Sequence, residues 1–121
     1  MTLGDTQREF ARHLGYLLRH IEAAGYQCTL GDAFRDPRSH GHMGVMGVYG
    51  RAKSAHKQRL AIDLNLFKGG EYLSTTEDHR PIGEYWKALH EDNRWGGDFD
   101  FDGDGHGDDG NHYSKWYGGI A

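Results

Sequence analysis

Three side chains in this sequence, His56, Asp63 and His112, are of the types and spacing that hold a divalent metal ion. Asp63 lies in the middle of residues 60–67 (LAIDLNLF), where Leu60, Ile62, Leu64 and Leu66 alternate with Ala61, Asp63 and Asn65. Strict alternation is the signature of a strand with one greasy face, so Asp63 is predicted on the polar face. Alone it reads as a surface carboxylate. His56 stands seven residues upstream, and seven is odd: in an unbroken strand the two side chains point to opposite faces. A bend at Lys57-Gln58-Arg59 would bring them to one side. His112 opens an aromatic-rich segment (HYSKWY) and is the best third ligand. Two imidazoles and one carboxylate suit zinc and leave the fourth tetrahedral position open, as catalytic rather than structural sites do. Asp109, three residues before His112, is near enough to take a proton without ligating the metal.

A second constellation is the acidic loop 98–111, which reads DFDFDGDGHGDDGN. Oxygen ligands at alternate positions with glycine sixth are how an EF-hand loop wraps calcium. Two registers fit. One uses Asp98, Asp100 and Asp102, with Gly103 sixth and Asp109 at the last position. The other uses Asp100, Asp102 and Asp104, with Gly105 sixth and Asp108 ninth. Neither ends in the bidentate glutamate, so a weak calcium site is expected, whose filling would order the loop that delivers Asp109 and His112. An acidic solvated loop is the competing reading.

The elements that must position these groups follow from the apolar pattern. Residues 5–24 are predicted to form an amphipathic helix with Phe10, Leu14, Leu17, Leu18 and Ile21 on one stripe, Asp5 as N-cap and Gly25 as stop. His13 and His20 on that helix are two turns apart, too far to share an ion, and are expected at its surface or boundary. Residues 26–34 read as a strand, followed by a long glycine- and histidine-rich loop over 35–53 that contains Arg35, Arg38, His40 and His42. A short partner strand is expected at 71–76. Pro81 is expected to open a helix through 91, with Ile82, Tyr85, Trp86 and Leu89 facing the core. A last strand is expected over 112–117. The fold class that results is α+β: one small domain spanning 1–121, with an antiparallel sheet, two main helices and long loops.

Composition narrows the function. With 121 residues and 36% hydrophobic content there is room for one modest core. The one cysteine, Cys28, excludes an internal disulfide and a thiolate zinc cluster, and reads as a small buried apolar residue. No apolar run reaches the roughly 18 residues that cross a bilayer, so membrane insertion is not expected. Residues 1–10 lack the apolar heart of a signal peptide, so synthesis in the cytoplasm is expected. Net charge is -4, split between a basic stretch over 35–68, with seven Lys/Arg against two acids, and an acidic C-terminal part. The acidic part makes a nucleic-acid partner a poor candidate.

Taken together, Ser54-x-His56, Asp63 and Asp109-x-x-His112 resemble the zinc peptidases that cut bacterial cell-wall peptides: L-alanyl-D-glutamate endopeptidases and D-alanyl-D-alanine carboxypeptidases, which share the hedgehog-type fold. The resemblance runs from about Phe34 to Ser114 and includes Trp95-Gly96-Gly97. Each half-motif is weak by itself; both in this order in so short a chain are far more specific. The resemblance implies zinc held by His56, Asp63 and His112, catalysis by Asp109, and Arg35 as the guanidinium that stabilises the oxyanion, with Arg38 its nearest rival. Ser54 and Arg59 are then placed at the substrate groove; Arg59 stands where many members have glycine, which implies a differently shaped turn. The implied activity is that of a phage endolysin: a monomer hydrolysing stem peptides of peptidoglycan in the periplasm, reached through a separate pore-forming protein. The competing readings are a D-alanyl-D-alanine carboxypeptidase or dipeptidase with the same site, a non-catalytic zinc module of this fold, and a calcium-binding interaction protein. Asp109 speaks against the second, and the pairing of His56 with Asp63 against the third.

Overall fold

The strand carrying Asp63 is the spine of the fold. In the computed structural model, which describes residues 1–36, 42–44, 53–100, 103, 107 and 109–121, the elements run α1 (Leu3–Ala23), β1 (Gln27–Leu30), a 3-10 turn (Ala55–Gln58), β2 (Ala61–Lys68), β3 (Glu71–Leu73), α2 (Thr76–Leu89), β4 (Asn93–Trp95), a second 3-10 turn (Gly96–Asp98) and β5 (His112–Lys115). The five strands form one antiparallel sheet in the order β1-β2-β5-β4, with β3 also on β2. The domain is α+β, as the apolar pattern implies. No helix among the described residues is long and apolar enough to cross a membrane.

Alternation along β2 sorts the molecule into two sides. Ile62, Leu64 and Leu66 are buried in one cluster with Phe10, Leu17 and Ile21 of α1, and with Ile82 and Trp86 of α2. Complete burial of an aliphatic side chain of this size contributes about 1.5–3 kcal/mol, so this face decides which way the strand turns. Asp63 and Asn65 fall on the other face. Trp86 meets Phe10 edge to face at 5.6 Å, and its indole N–H donates to the carbonyls of Arg94 and Ser114, both at 2.9 Å. One side chain thus ties both helices to β4 and β5.

Both helices begin earlier than the sequence reading has them. Thr2, not Asp5, caps α1: its hydroxyl accepts from the Asp5 amide, and Asp5 bonds back to the Thr2 amide as the other half of a capping box. Thr75 and Asp78 do the same for α2, so Pro81 lies within that helix rather than at its start. The reciprocal cap outweighs the proline, whose fixed φ is helical and which removes one intrahelical donor. β1, β3 and β5 are shorter than expected, β2 keeps its eight residues one position later, and Gly25, at φ 89°, ends α1 as anticipated.

His13 is buried rather than at the surface. It lies near His90 (ring centroids 5.6 Å apart), beside a charged group the sequence does not reveal: the fully buried Lys115, whose ammonium donates to Asn93 Oδ1 at 2.7 Å and pairs with Glu9 at 3.2 Å. Burial pulls the Lys115 ammonium down from its ordinary range, and Glu9 opposes the shift. This pair links α1 to β5, inside the sheet. Removing Lys115 leaves the partly buried Glu9 and the buried Asn93 Oδ1 without this partner, so Lys115→Met is expected to cost about 2 kcal/mol in urea unfolding. An unchanged midpoint would show that the pair contributes nothing net.

Candidate metal centre

Register brings the three candidate ligands together. Asp63 lies directly across from His112 in the β2–β5 ladder, on the face turned away from the helices, while the next pair, Ile62 and Tyr113, points into the core. His56 arrives by the bend that the odd spacing demands. It sits in the 3-10 turn capped by the Ser54 hydroxyl, and the chain leaves that turn through Arg59 in the left-handed region, φ 59°. A single residue there lets the strand restart with the imidazole already beside Asp63.

The contacts are those of a metal cradle. His56 Nε2 is 3.3 Å and His112 Nδ1 3.6 Å from the same oxygen, Asp63 Oδ1, and one ligand atom from each residue falls within 4.8 Å of the other two. Donors about 2.0–2.1 Å from a tetrahedral ion lie about 3.3 Å apart, so these separations need little adjustment. The His56 ring is also oriented as a ligand: its Nδ1 is 2.8 Å from the Ala33 carbonyl, an acceptor, which places the ring proton there and leaves the Nε2 lone pair facing the carboxylate. A cation shared by that lone pair and the carboxylate oxygen, a proton or a metal ion, satisfies both. The His56–Asp63–His112 group can therefore hold a metal ion. His112 differs from His56 in that its other nitrogen, Nε2, is buried without a partner among the described residues. Its position rests instead on the ladder and on the Phe99 ring, 5.5 Å away.

Two carboxylates share the site under different conditions. Burial works against ionisation of Asp63, but its contacts with His112 and His56 outweigh that and hold its carboxyl well below the usual range. Asp109 is raised by burial, with the Asp63 charge adding to the shift and the imidazoles and Arg35 opposing it. Its Oδ2 is 3.8 Å from His112 Nδ1. Asp109 is held by its backbone: its amide donates to the Gly96 carbonyl at 3.2 Å, and its own carbonyl accepts from the His112 amide at 3.0 Å. A Cβ on Gly96 would run into the Asp109 carbonyl and come to 2.7 Å from His112 Cβ, so only glycine allows this approach.

The group forms one wall of a cleft of about 470 Å³ that Arg35, Lys53, Asp109 and Phe99 also line. Arg35 is anchored at several points: its amide donates to the His56 carbonyl, and its guanidinium reaches Asp32 at 3.4 Å and Ser54 Oγ at 3.3 Å. Ser54 also lines the cleft, with its hydroxyl engaged by Arg35 and by the His56 amide. Arg59 is not among the cleft residues; its guanidinium lies over the Phe34 ring at 4.0 Å. Lys53, Phe99 and Ile120 were not singled out from sequence as site residues. Lys53 had a signal, the basic bias of 35–68; Ile120 had none.

Of the calcium candidates, Asp98 pairs with Lys87 at 2.9 Å, and Asp100 accepts from the Gly103 amide at 3.0 Å. Asp102, Asp104 and Asp108 lie outside the described residues, as do Arg38, His40 and His106. No protein-family model matches the chain, and a search of curated proteins finds no match.

If the cluster binds a divalent ion, equilibrium dialysis against zinc should load about one ion per chain in the native protein, with a thermal midpoint that rises with metal concentration. His56→Ala, Asp63→Ala and His112→Ala should each lose both effects. Full loading of the His112→Ala protein would remove His112 from the ligand set.

Proposed function

We propose that this protein is a zinc peptidase that hydrolyses an amide bond in the stem peptides of bacterial peptidoglycan, as a phage endolysin of the L-alanyl-D-glutamate endopeptidase type would. The observation that carries the reading is the convergence of His56, Asp63 and His112 in a cleft that also holds a second carboxylate, Asp109, and an anchored guanidinium, Arg35. The choice of zinc rests on the donor set, two imidazoles and one carboxylate. The choice of substrate rests on the resemblance of the Ser54-x-His56, Asp63 and Asp109-x-x-His112 pattern to cell-wall peptidases.

When bound, zinc supplies Lewis acidity at the reacting carbonyl and lowers the pKa of water. The chain's own groups have separate tasks. Asp109 accepts the proton of the attacking water at its carboxylate and returns it to the leaving amine. Arg35, held by Asp32 and Ser54, donates to the carbonyl oxygen as negative charge develops there. Arg35 and Lys53 give the cleft positive charge suited to the carboxylates of D-glutamate and diaminopimelate. Phe99 adds an apolar surface to the cleft, 5.5 Å from the His112 ring.

Incubating the zinc-loaded protein with purified stem peptides and identifying products by mass spectrometry tests the activity and locates the bond. Asp109→Asn should keep its metal and fold while kcat falls about 100-fold or more. Arg35→Lys should fall by about 100-fold, because an ammonium cannot reproduce the planar fork of donors. Loss of metal from Asp109→Asn would make Asp109 a ligand, and near-normal turnover would end its role as base.

A further inference from the structure

Asp109 borders a second hollow of about 200 Å³, which shares no other lining residue with the first. Ser74, Thr75, Thr76, His79 and Asn111 line it, and its character is different: the first cleft carries Arg35 and Lys53, whereas the second has no Lys or Arg in its lining. It lies at the start of α2, but Glu77 and Asp78 in the first turn offset the positive end of that helix. An anionic ligand would therefore find no counter-charge here.

The informative group is His79. Its ring is 4% exposed and lines this hollow. Nδ1 lies 2.8 Å from the hydroxyl of Tyr113, which is itself fully buried and has no other hydrogen-bond partner among the described residues. A buried hydroxyl gives its proton to an acceptor when one is in reach, and Nδ1 is the acceptor present. Nδ1 therefore carries the lone pair, and the proton of the neutral ring sits on Nε2. Burial supports a neutral ring: it pushes His79 down to about 4, with Asp78 opposing. Nε2 has no partner among the described residues, on a ring whose small exposed area opens on this hollow. It is a fixed, uncharged N–H donor at the wall of this hollow.

We propose that this second hollow is a substrate subsite in which His79 Nε2–H donates to a backbone carbonyl oxygen of an extended peptide whose scissile bond lies at Asp109. This rests on the peptidase reading and deepens it. A carbonyl fits better than a carboxylate because the donor is neutral and the Asp109 carboxylate forms part of the wall. The hydroxyls of Ser74 and Thr76 and the amide of Asn111 offer further uncharged partners for a peptide backbone. The substrate then runs from a cationic cleft that takes its acidic groups, past Asp109, into a neutral polar one that takes what precedes L-alanine, and a stem peptide that begins at a free L-alanine is too short to use both. His79 is a positioning residue in this scheme, not a catalytic one.

The test compares the zinc-loaded Tyr113→Phe protein with the His79→Phe/Tyr113→Phe double variant, which removes both hydrogen-bonding partners so that neither is left orphaned. For the N-acetylmuramoyl tetrapeptide, whose lactyl carbonyl continues the amide backbone on the far side of L-Ala-γ-D-Glu-diaminopimelate-D-Ala, the loss of His79 should raise KM about tenfold, the size of one neutral hydrogen bond, and change kcat by less than about twofold. For the free tetrapeptide, which begins at L-alanine, neither constant should move. A rise of equal size on both substrates, or none on either, overturns the subsite while leaving the peptidase reading intact. A direct measurement separates the two further. In native protein with isotope-labelled histidine, His79 should show the Nε2–H tautomer, and titrating the N-acetylmuramoyl tetrapeptide into the slow Asp109→Asn protein should shift that resonance saturably. If the native protein cuts no stem peptide yet the resonance shifts, the peptidase reading fails and the subsite stands as a peptide-binding site. An unmoved resonance up to millimolar peptide, or the Nδ1–H tautomer, overturns the subsite.

Discussion

The pairing of Asp63 with His112 across β2 and β5 is the constraint on which the rest depends. A strand's side chains alternate, so a slip of one residue would send every side chain of β2 to the opposite face. The neighbouring pair, Ile62 with Tyr113, is buried among the helices, so a slip would expose that pair and drive Asp63 into the core. The energy that fixes the cradle is therefore hydrophobic, supplied by residues that never touch a metal. Hydrogen bonds pin the same stretch from both edges: the Asp63 amide donates to the Asp32 carbonyl at 2.8 Å, and the Leu64 amide to the Asn111 carbonyl at 2.9 Å.

The loop that brings Asp109 is fastened by similar means. Trp95 is fully buried, and its indole N–H donates to the Gly110 carbonyl at 2.6 Å, one residue past Asp109. A tryptophan needs a partner for that N–H when buried, so the core residue and the loop specify each other. Tyr113 repeats the pattern with His79. Aromatic side chains of the core thus hold, through their polar tips, the groups that surround Asp109. Mutations at Trp95 or Tyr113 should for that reason disturb the cleft as well as stability.

Much of this was legible in the residues. Strict alternation marked β2, and the stripe of Phe10, Leu14, Leu17, Leu18 and Ile21 marked α1, because both are local periodicities. The odd spacing of His56 and Asp63 demanded a bend, and the 3-10 turn with Arg59 at positive φ is that bend. The helix starts were missed because a capping box competes with more conspicuous signals, an acidic residue at Asp5 and a proline at Pro81. What could not be read was long-range. Lys115 sits in a pattern that says strand, but only the fold shows its ammonium buried against Asn93 and Glu9. Nor does sequence say that Tyr113 points at His79, thirty-four residues away.

Two aspartates in one cleft need a reason to act differently, and geometry supplies it before chemistry does. Asp63 lies in a ladder with an imidazole on each side, at 3.3 and 3.6 Å, so its oxygen is the shared corner of the cradle. Asp109 comes from a loop, touches one imidazole at 3.8 Å, and borders both hollows. A carboxylate fixed between two ligands has little freedom to carry a proton. One at the junction of two open spaces is open to a bound molecule on either side. Their environments push the two groups apart in the matching directions, Asp63 towards permanent ionisation and Asp109 towards easier protonation. That divergence follows from where the loop ends and β5 begins, at His112, and the same register that buries Ile62 and Tyr113 draws that boundary.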